Sequence, residues 1–194
     1  MECNLIMIGD QKVGKSSILL RFAYDYAQYR LSTNQFSDSY EPTIWATVKK
    51  KIDINNISIN LNFTDICCQE HYLSIRKNSY INKDIIIIVF DINQIASFHN
   101  VLQHWNQETC QLKNIKKIII ANKIDLREND EQIEDYKLQV KESFKDCHFF
   151  SCSAKTGENI DEVFKEIAKI LIESSPKKKE EQLHREEFCS CLIF

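Results

Sequence analysis

Gly9-Asp10-Gln11-Lys12-Val13-Gly14-Lys15-Ser16 is the stretch on which the fold turns. Two glycines separated by four residues are followed by a lysine and a serine. At that spacing main-chain N–H groups curl around a phosphate, the lysine neutralises β- and γ-phosphate oxygens, and the hydroxyl can ligate Mg2+. An apolar strand-like run, residues 5–8, leads into the loop, and Ile18, Leu19, Leu20 and Phe22 continue beyond it with helical spacing. The phosphate would therefore meet a helix N-terminus, whose unpaired N–H groups favour an anion. Ser17, in the first turn, joins the candidate phosphate contacts with residues 9–16. This pattern predicts a bound nucleoside triphosphate and leaves its base open.

Outward from the loop, apolar stretches at residues 5–8, 85–90, 118–121 and 148–152 alternate with longer segments of helical periodicity, the order of a doubly wound α/β sheet. Ile57, Ile59, Leu61 and Phe63 alternate with polar residues after Asn55-Asn56, which predicts a hairpin adding one antiparallel edge strand. Ile160, Val163, Phe164, Ile167, Ile170 and Leu171 make one apolar helical stripe. Asn159 and Glu162 are spaced for a capping box at its start. A similar stripe runs through Ile95, Phe98, Leu102 and Trp105. Both stripes predict core.

The second informative tetrapeptide is Asn122-Lys123-Ile124-Asp125, just past the strand at 118–121, where an open α/β sheet presents ligands. A carboxylate such as Asp125 can accept from the N1–H and N2–H2 donors of guanine, a pair adenine does not offer. Guanine is thus favoured, and an adenine-nucleotide kinase or ATPase disfavoured.

Taken together these motifs resemble the small GTPases of the Ras superfamily, over residues 3 to about 173 and again at the last four positions. The resemblance implies a three-layer P-loop GTPase domain at residues 1–173, with a six-stranded, mostly parallel sheet, one antiparallel edge strand and about five helices. It also implies GTP, GDP and Mg2+ as ligands, with an exchange factor, a GTPase-activating protein and effectors as partners of an expected monomer. By the same resemblance Asn122 supports the base pocket, Lys123 lies along the ring, and Ser153-Ala154-Lys155 is the final base-contact loop. Thr43 is similar to the first-switch threonine that binds Mg2+, and Asp65 to the metal-side aspartate. Gln69 is similar to the glutamine that positions the attacking water; Gln69 and Lys15 are the catalytic candidates. Residues 15–22 and 97–101 are most similar to the Rab branch, which implies a role in vesicle trafficking or related signalling.

Departures from the family pattern sit at the second switch and the phosphate loop. Asp65-Ile66-Cys67-Cys68-Gln69-Glu70 stands where Asp-Thr-Ala-Gly-Gln-Glu is usual, so Cys68 replaces a glycine whose backbone contacts the γ-phosphate. Gln11 and Lys12 occupy positions often held by small residues, and the segment 22–43 is about nine residues longer than the resemblance predicts, with Tyr24, Tyr26 and Tyr29 in the excess. These departures point to slow hydrolysis, and they open an alternative: a hydrolysis-impaired scaffold that holds GTP and recruits effectors.

The remaining features bound location and partners. A chain of 194 residues with 43% hydrophobic content is one domain's worth of core. A net charge of −3 provides no basic field for nucleic acid. The start shows no secretory pattern, Glu2 excludes myristoylation, and no apolar run is long enough to cross a bilayer, so a cytoplasmic setting with reduced thiols is expected. Residues 174–194 are polar and mixed in charge, which predicts a flexible tail. The tail ends in Cys189-Ser190-Cys191-Leu192-Ile193-Phe194, in which Cys191 opens a prenylation signal. One lipid holds weakly, and Lys177, Lys178 and Lys179 are offset by nearby glutamates, so Cys189 is the expected second lipidation site for peripheral attachment to a cytosolic membrane face.

Overall fold

The computed structural model describes residues 1–24, 45–66, 69, 72–112 and 114–174. Six strands form one sheet: β1 (Glu2–Ile8), β2 (Trp45–Ile54), β3 (Ile57–Ile66), β4 (Ile85–Asp91), β5 (Lys116–Asn122) and β6 (Cys147–Cys152), in the order β2-β3-β1-β4-β5-β6. β2 pairs antiparallel with β3, and every other neighbour pairs parallel. The mixed sheet and its antiparallel edge agree with expectation.

The hairpin between β2 and β3 is set by Asn55 and Asn56, which take φ values of 50° and 64°. Left-handed backbone at both turn positions matches the right-handed twist of the strands it joins. The register then pairs Ile54 with Ile57 and Val48 with Phe63.

Among the described residues the helices are α1 (Lys15–Ala23), α2 (Leu73–Ser79), α3, α4 (Asp130–Ser143) and α5 (Ile160–Glu173). α3 is continuous but not regular: α-helix over Ile95–Asn100, a π-helical turn over Val101–Trp105, then α-helix over Asn106–Thr109. Of the predicted stripe, Phe98 and Trp105 are buried, Leu102 is partly buried and Ile95 is 54% exposed; Val101 is buried beside them.

Two cores cover the two faces of the sheet. One joins α1 and α5 to β1, β3 and β5, with Phe22 stacked on Phe164 and edge-on to Phe63. The other packs α3 and α4 through Phe90, Phe98 and Tyr136, whose ring centroids lie 4.4–5.2 Å apart. Because β4 is covered on both faces, all seven of its residues are buried, as a central parallel strand requires.

α5 buries its predicted stripe, but the capping box at its start does not form. Asn159 sits in the left-handed region at φ 62°, where its side chain cannot accept from the first turn; it donates instead to Ser151 O at 3.1 Å. No helix among the described residues is long and apolar enough to cross a membrane.

Candidate functional site

The register of the parallel strands brings the candidate residues to one edge. Asp91, Asn122 and Cys152 are successive partners across β4, β5 and β6, and Met7 of β1 is paired with Asp65 of β3. Each loop that follows these strand ends carries part of the site, at the carboxyl edge where open α/β sheets hold ligands.

The loop between β1 and α1 turns through left-handed backbone at Lys12 and Gly14, with φ 63° and 92°. Gly9, at φ 133°, passes so close to β4 that a Cβ there would lie 2.2 Å from Val89 O. At Gly14 a Cβ would meet Asn122 Nδ2 at 2.4 Å. Glycine is needed at both positions by backbone angle and by space. Gly14 then leads into α1, where Ile18 N donates to Gly14 O at 3.0 Å.

Lys15 is buried, and its Nζ donates to Gly9 O at 2.9 Å and Asp10 O at 2.7 Å, so its ammonium is held at the mouth of the loop. Asp10 faces the other way: its carboxylate accepts from Asn100 Nδ2 at 2.6 Å and Trp105 Nε1 at 2.8 Å. Gln11 and Lys12 are exposed, Val13 is fully buried, and Ser17 is partly buried.

Ser16 Oγ donates to Asp65 Oδ2, joining α1 to the end of β3. Burial raises the Asp65 carboxyl above its ordinary value, although Ser16 and Lys15 pull the other way. Its second oxygen, Oδ1, is buried with no hydrogen-bond partner among the described residues. A buried carboxylate oxygen left over beside a hydroxyl fits a hard divalent cation, which takes oxygen ligands. Among the described residues no cluster of three His, Cys, Asp or Glu gathers elsewhere to compete.

The base-side residues form one connected unit. Asn122 Nδ2 donates to Val13 O at 2.8 Å and its Oδ1 accepts from Ala154 N at 3.1 Å, so a single buried side chain ties the phosphate loop to the loop after β6. Ser153 Oγ donates to Asp125 Oδ1 at 2.5 Å, which fixes the carboxylate that would read the base. Lys123, in the left-handed region, pairs its Nζ with Asp91 Oδ2 at 2.6 Å. Lys155 is exposed on the same loop.

The structure therefore brings residues 9–17, Asp65, Asn122, Lys123, Asp125, Ser153, Ala154 and Lys155 to one edge of the sheet. Gln69 is described, and its carbonyl accepts from Arg76 Nη1 at 3.4 Å and from Tyr72 N at 3.0 Å. Thr43, Cys68, Cys189, Cys191 and the tyrosine-rich excess before Thr43 lie outside the described residues.

Sequence reasoning missed Asp91, Arg76 and Glu108, which sit in no recognisable motif; it read Trp105 only as core and Asn100 only as part of the stretch 97–101. The Arg76–Glu108 pair spans 32 residues, a separation that no local pattern announces.

Comparison with known proteins follows the same outline. A Ras family profile matches residues 4–173. The chain is 35% identical over 170 residues to "Ras-related protein Rab-1" of Theileria parva, covering 86% of this chain and 73% of that protein. To "GTP-binding protein ypt5" of Schizosaccharomyces pombe it is 37% identical over 173 residues, 86% and 76% of the two chains. It is also 27% identical over 197 residues to "Rho-related GTP-binding protein RhoF" of Mus musculus, 95% and 89% of the two chains. With the loop after β1 joined through Asn122 to the loop whose Ser153 holds Asp125, and with relatives on both the Rab and the Rho side, the chain belongs to the Ras superfamily of small GTPases.

Proposed function

We propose that this protein binds GTP and GDP, hydrolyses GTP to GDP, and works as a membrane-attached switch of Rab-like character in vesicle trafficking or related signalling. The observation that carries it is the link from Val13 O through Asn122 to Ala154 N, beside the Ser153–Asp125 pair. That link sets the phosphate grip and the base reader at a fixed separation, which a ligand with a triphosphate at one end and guanine at the other requires.

In the proposed reaction the main-chain amides of residues 9–17 and the Lys15 ammonium hold the β- and γ-phosphates and offset the charge that spreads over their oxygens. Asp125 accepts from the guanine ring, Lys123 lies along it, and the loop 153–155 closes the pocket. Ser16 and Thr43, with Asp65 behind them, would hold Mg2+; when bound, that ion neutralises phosphate oxygens. Gln69 orients a water in line with the γ-phosphate. Gln11 and Lys12 project at the mouth of the loop and slow the intrinsic step, which leaves room for a GTPase-activating protein. Exchange factor and effectors act through the switches, and prenylation of Cys191 with a second lipid on Cys189 keeps the chain on a cytosolic membrane face.

Nucleotide content and single-turnover hydrolysis of purified protein, with and without Gln69→Leu, test this directly. Guanosine nucleotide should be retained against excess ATP with Mg2+ present, and Gln69→Leu should lower the rate about tenfold or more. Equal and negligible rates for both proteins, even with an activating protein, would make the chain a GTP-holding scaffold. Loss of the guanosine preference would remove the whole proposal.

A further inference from the structure

Outside the nucleotide site, the described residues hold one densely connected polar cluster, between α2 and α3. Arg76 is fully buried. Its Nε and Nη2 donate to Glu108 Oε1 and Oε2 at 2.7 and 2.8 Å, a bidentate pair, and Tyr80 Oη donates to the same carboxylate. The guanidinium lies 5.1 Å from the centroid of the Trp105 ring, which is 2% exposed.

The two ends of this cluster are site residues. At one end Arg76 Nη1 donates to the main-chain oxygen of Gln69 at 3.4 Å. At the other, Trp105 Nε1 donates to the Asp10 carboxylate at 2.8 Å, and Asp10 O in turn accepts from Lys15 Nζ at 2.7 Å. The path between the two groups assigned to the chemistry is therefore Lys15, Asp10, Trp105, Arg76, Gln69, with Glu108 fixing the arginine.

The path follows from where α3 places two side chains three residues apart. Trp105 ends the widened turn and Glu108 follows in the next α-helical segment, so one side of α3 presents the indole to the phosphate loop and the carboxylate to α2. π turns inside α-helices are uncommon and gather at functional sites. If the cluster only fastened α2 to α3, apolar side chains of similar volume would do so as well or better, because desolvating an ion pair costs about as much as the pair returns.

We propose that Asp10, Trp105, Arg76 and Glu108 are positioning residues that hold Lys15 and Gln69 in one frame for hydrolysis. The inference rests on the hydrolytic function proposed above. Without the frame, the Gln69 carbonyl keeps only its bond from Tyr72 N among the described residues, and a displacement near 1 Å at a reacting group is enough to cost roughly a hundredfold in rate.

Two variants test it without leaving a buried charge alone. Trp105→Phe removes the indole N–H to Asp10, and Arg76→Gln with Glu108→Gln replaces the ion pair by a neutral one. Each is measured in the full chain for GDP affinity and single-turnover GTP hydrolysis, in the native background and with Gln69→Leu. The expected result is GDP affinity within about threefold of the parent, hydrolysis slowed about tenfold, and less than a twofold effect once Gln69 is leucine. Unchanged hydrolysis, or equal slowing in both backgrounds, overturns the proposal.

If the parent protein retains GTP without hydrolysing it, the hydrolytic function fails and the frame is judged on hydrogen exchange with a non-hydrolysable GTP analogue bound. Faster exchange at Gln69 and Tyr72 as well as in α2 in the neutral-pair variant, with α5 unchanged, keeps the frame; faster exchange confined to α2 overturns it. Unchanged α2 exchange overturns it too. A parent protein that retains no guanine nucleotide overturns both.

Discussion

Asp125, the base reader of the proposed function, is held by its neighbour. A carboxylate at a strand end is normally a solvated turn residue; here Ser153 Oγ donates to its Oδ1 at 2.5 Å. Ser153→Ala should therefore loosen the base reader without disturbing the phosphate grip. A charge-assisted hydrogen bond is worth about 1.5–3 kcal/mol, so GDP affinity, measured by displacement of a fluorescent analogue, should fall roughly tenfold or more, while inorganic triphosphate competes as before. The positions of Asp125 and Lys15 at one sheet edge were legible from sequence, since both follow from motif spacing beside a strand. Ser153 was legible only as part of a loop, because its contact with Asp125 joins residues 28 apart.

Among the elements, the β2–β3 hairpin and α3 teach opposite lessons. The hairpin was readable because its turn and its alternation are local: two asparagines able to adopt positive φ, then an every-second-residue apolar pattern. Asn56, at φ 64°, still bears a side chain where glycine is at ease. Asn56→Gly should raise stability by about 0.5 kcal/mol, seen as a melting temperature about 1–2 °C higher. The α3 helix was read with regular periodicity, and Leu102 was placed in the core beside Trp105. The segment contains a π turn over Val101–Trp105, and its buried positions are Phe98, Val101 and Trp105, with Leu102 partly buried against the same core. Nothing within the segment marks that turn; packing and the hydrogen bond from Trp105 to Asp10 accompany it. The capping box at α5 failed for a related reason, since Asn159 is drawn to the Ser151 carbonyl of the preceding strand.

At the scale of the molecule, the Arg76–Glu108 pair links stability to pH. Burial acts to raise the Glu108 carboxyl, but hydrogen bonds from Arg76 and Tyr80 outweigh it, and the group stays below its ordinary value of 4.5. Tyr80, and His104 with Nε2 3.7 Å from Glu108 Oε2, are its other titratable neighbours. A carboxylate with a lowered folded value contributes stability in full above its unfolded value, and loses it as pH falls through the folded one. The stability difference between the parent and the Arg76→Gln, Glu108→Gln protein, from urea unfolding, should therefore be flat above pH 4.5 and change below it as Glu108 protonates. A difference that first changes above pH 6 would overturn the assignment to Glu108. By itself the sequence determined the nucleotide class, the α/β sheet and its antiparallel edge, because these follow from spacing within a loop and periodicity within a strand. Only the tertiary structure decided how the loops are joined. Asn122 bridging the phosphate and base loops, the orphaned oxygen of Asp65, and the run from Asp10 through Trp105 to Arg76 all connect residues far apart in the chain. Such contacts are set by strand order and helix phase, quantities that exist only once the chain has folded.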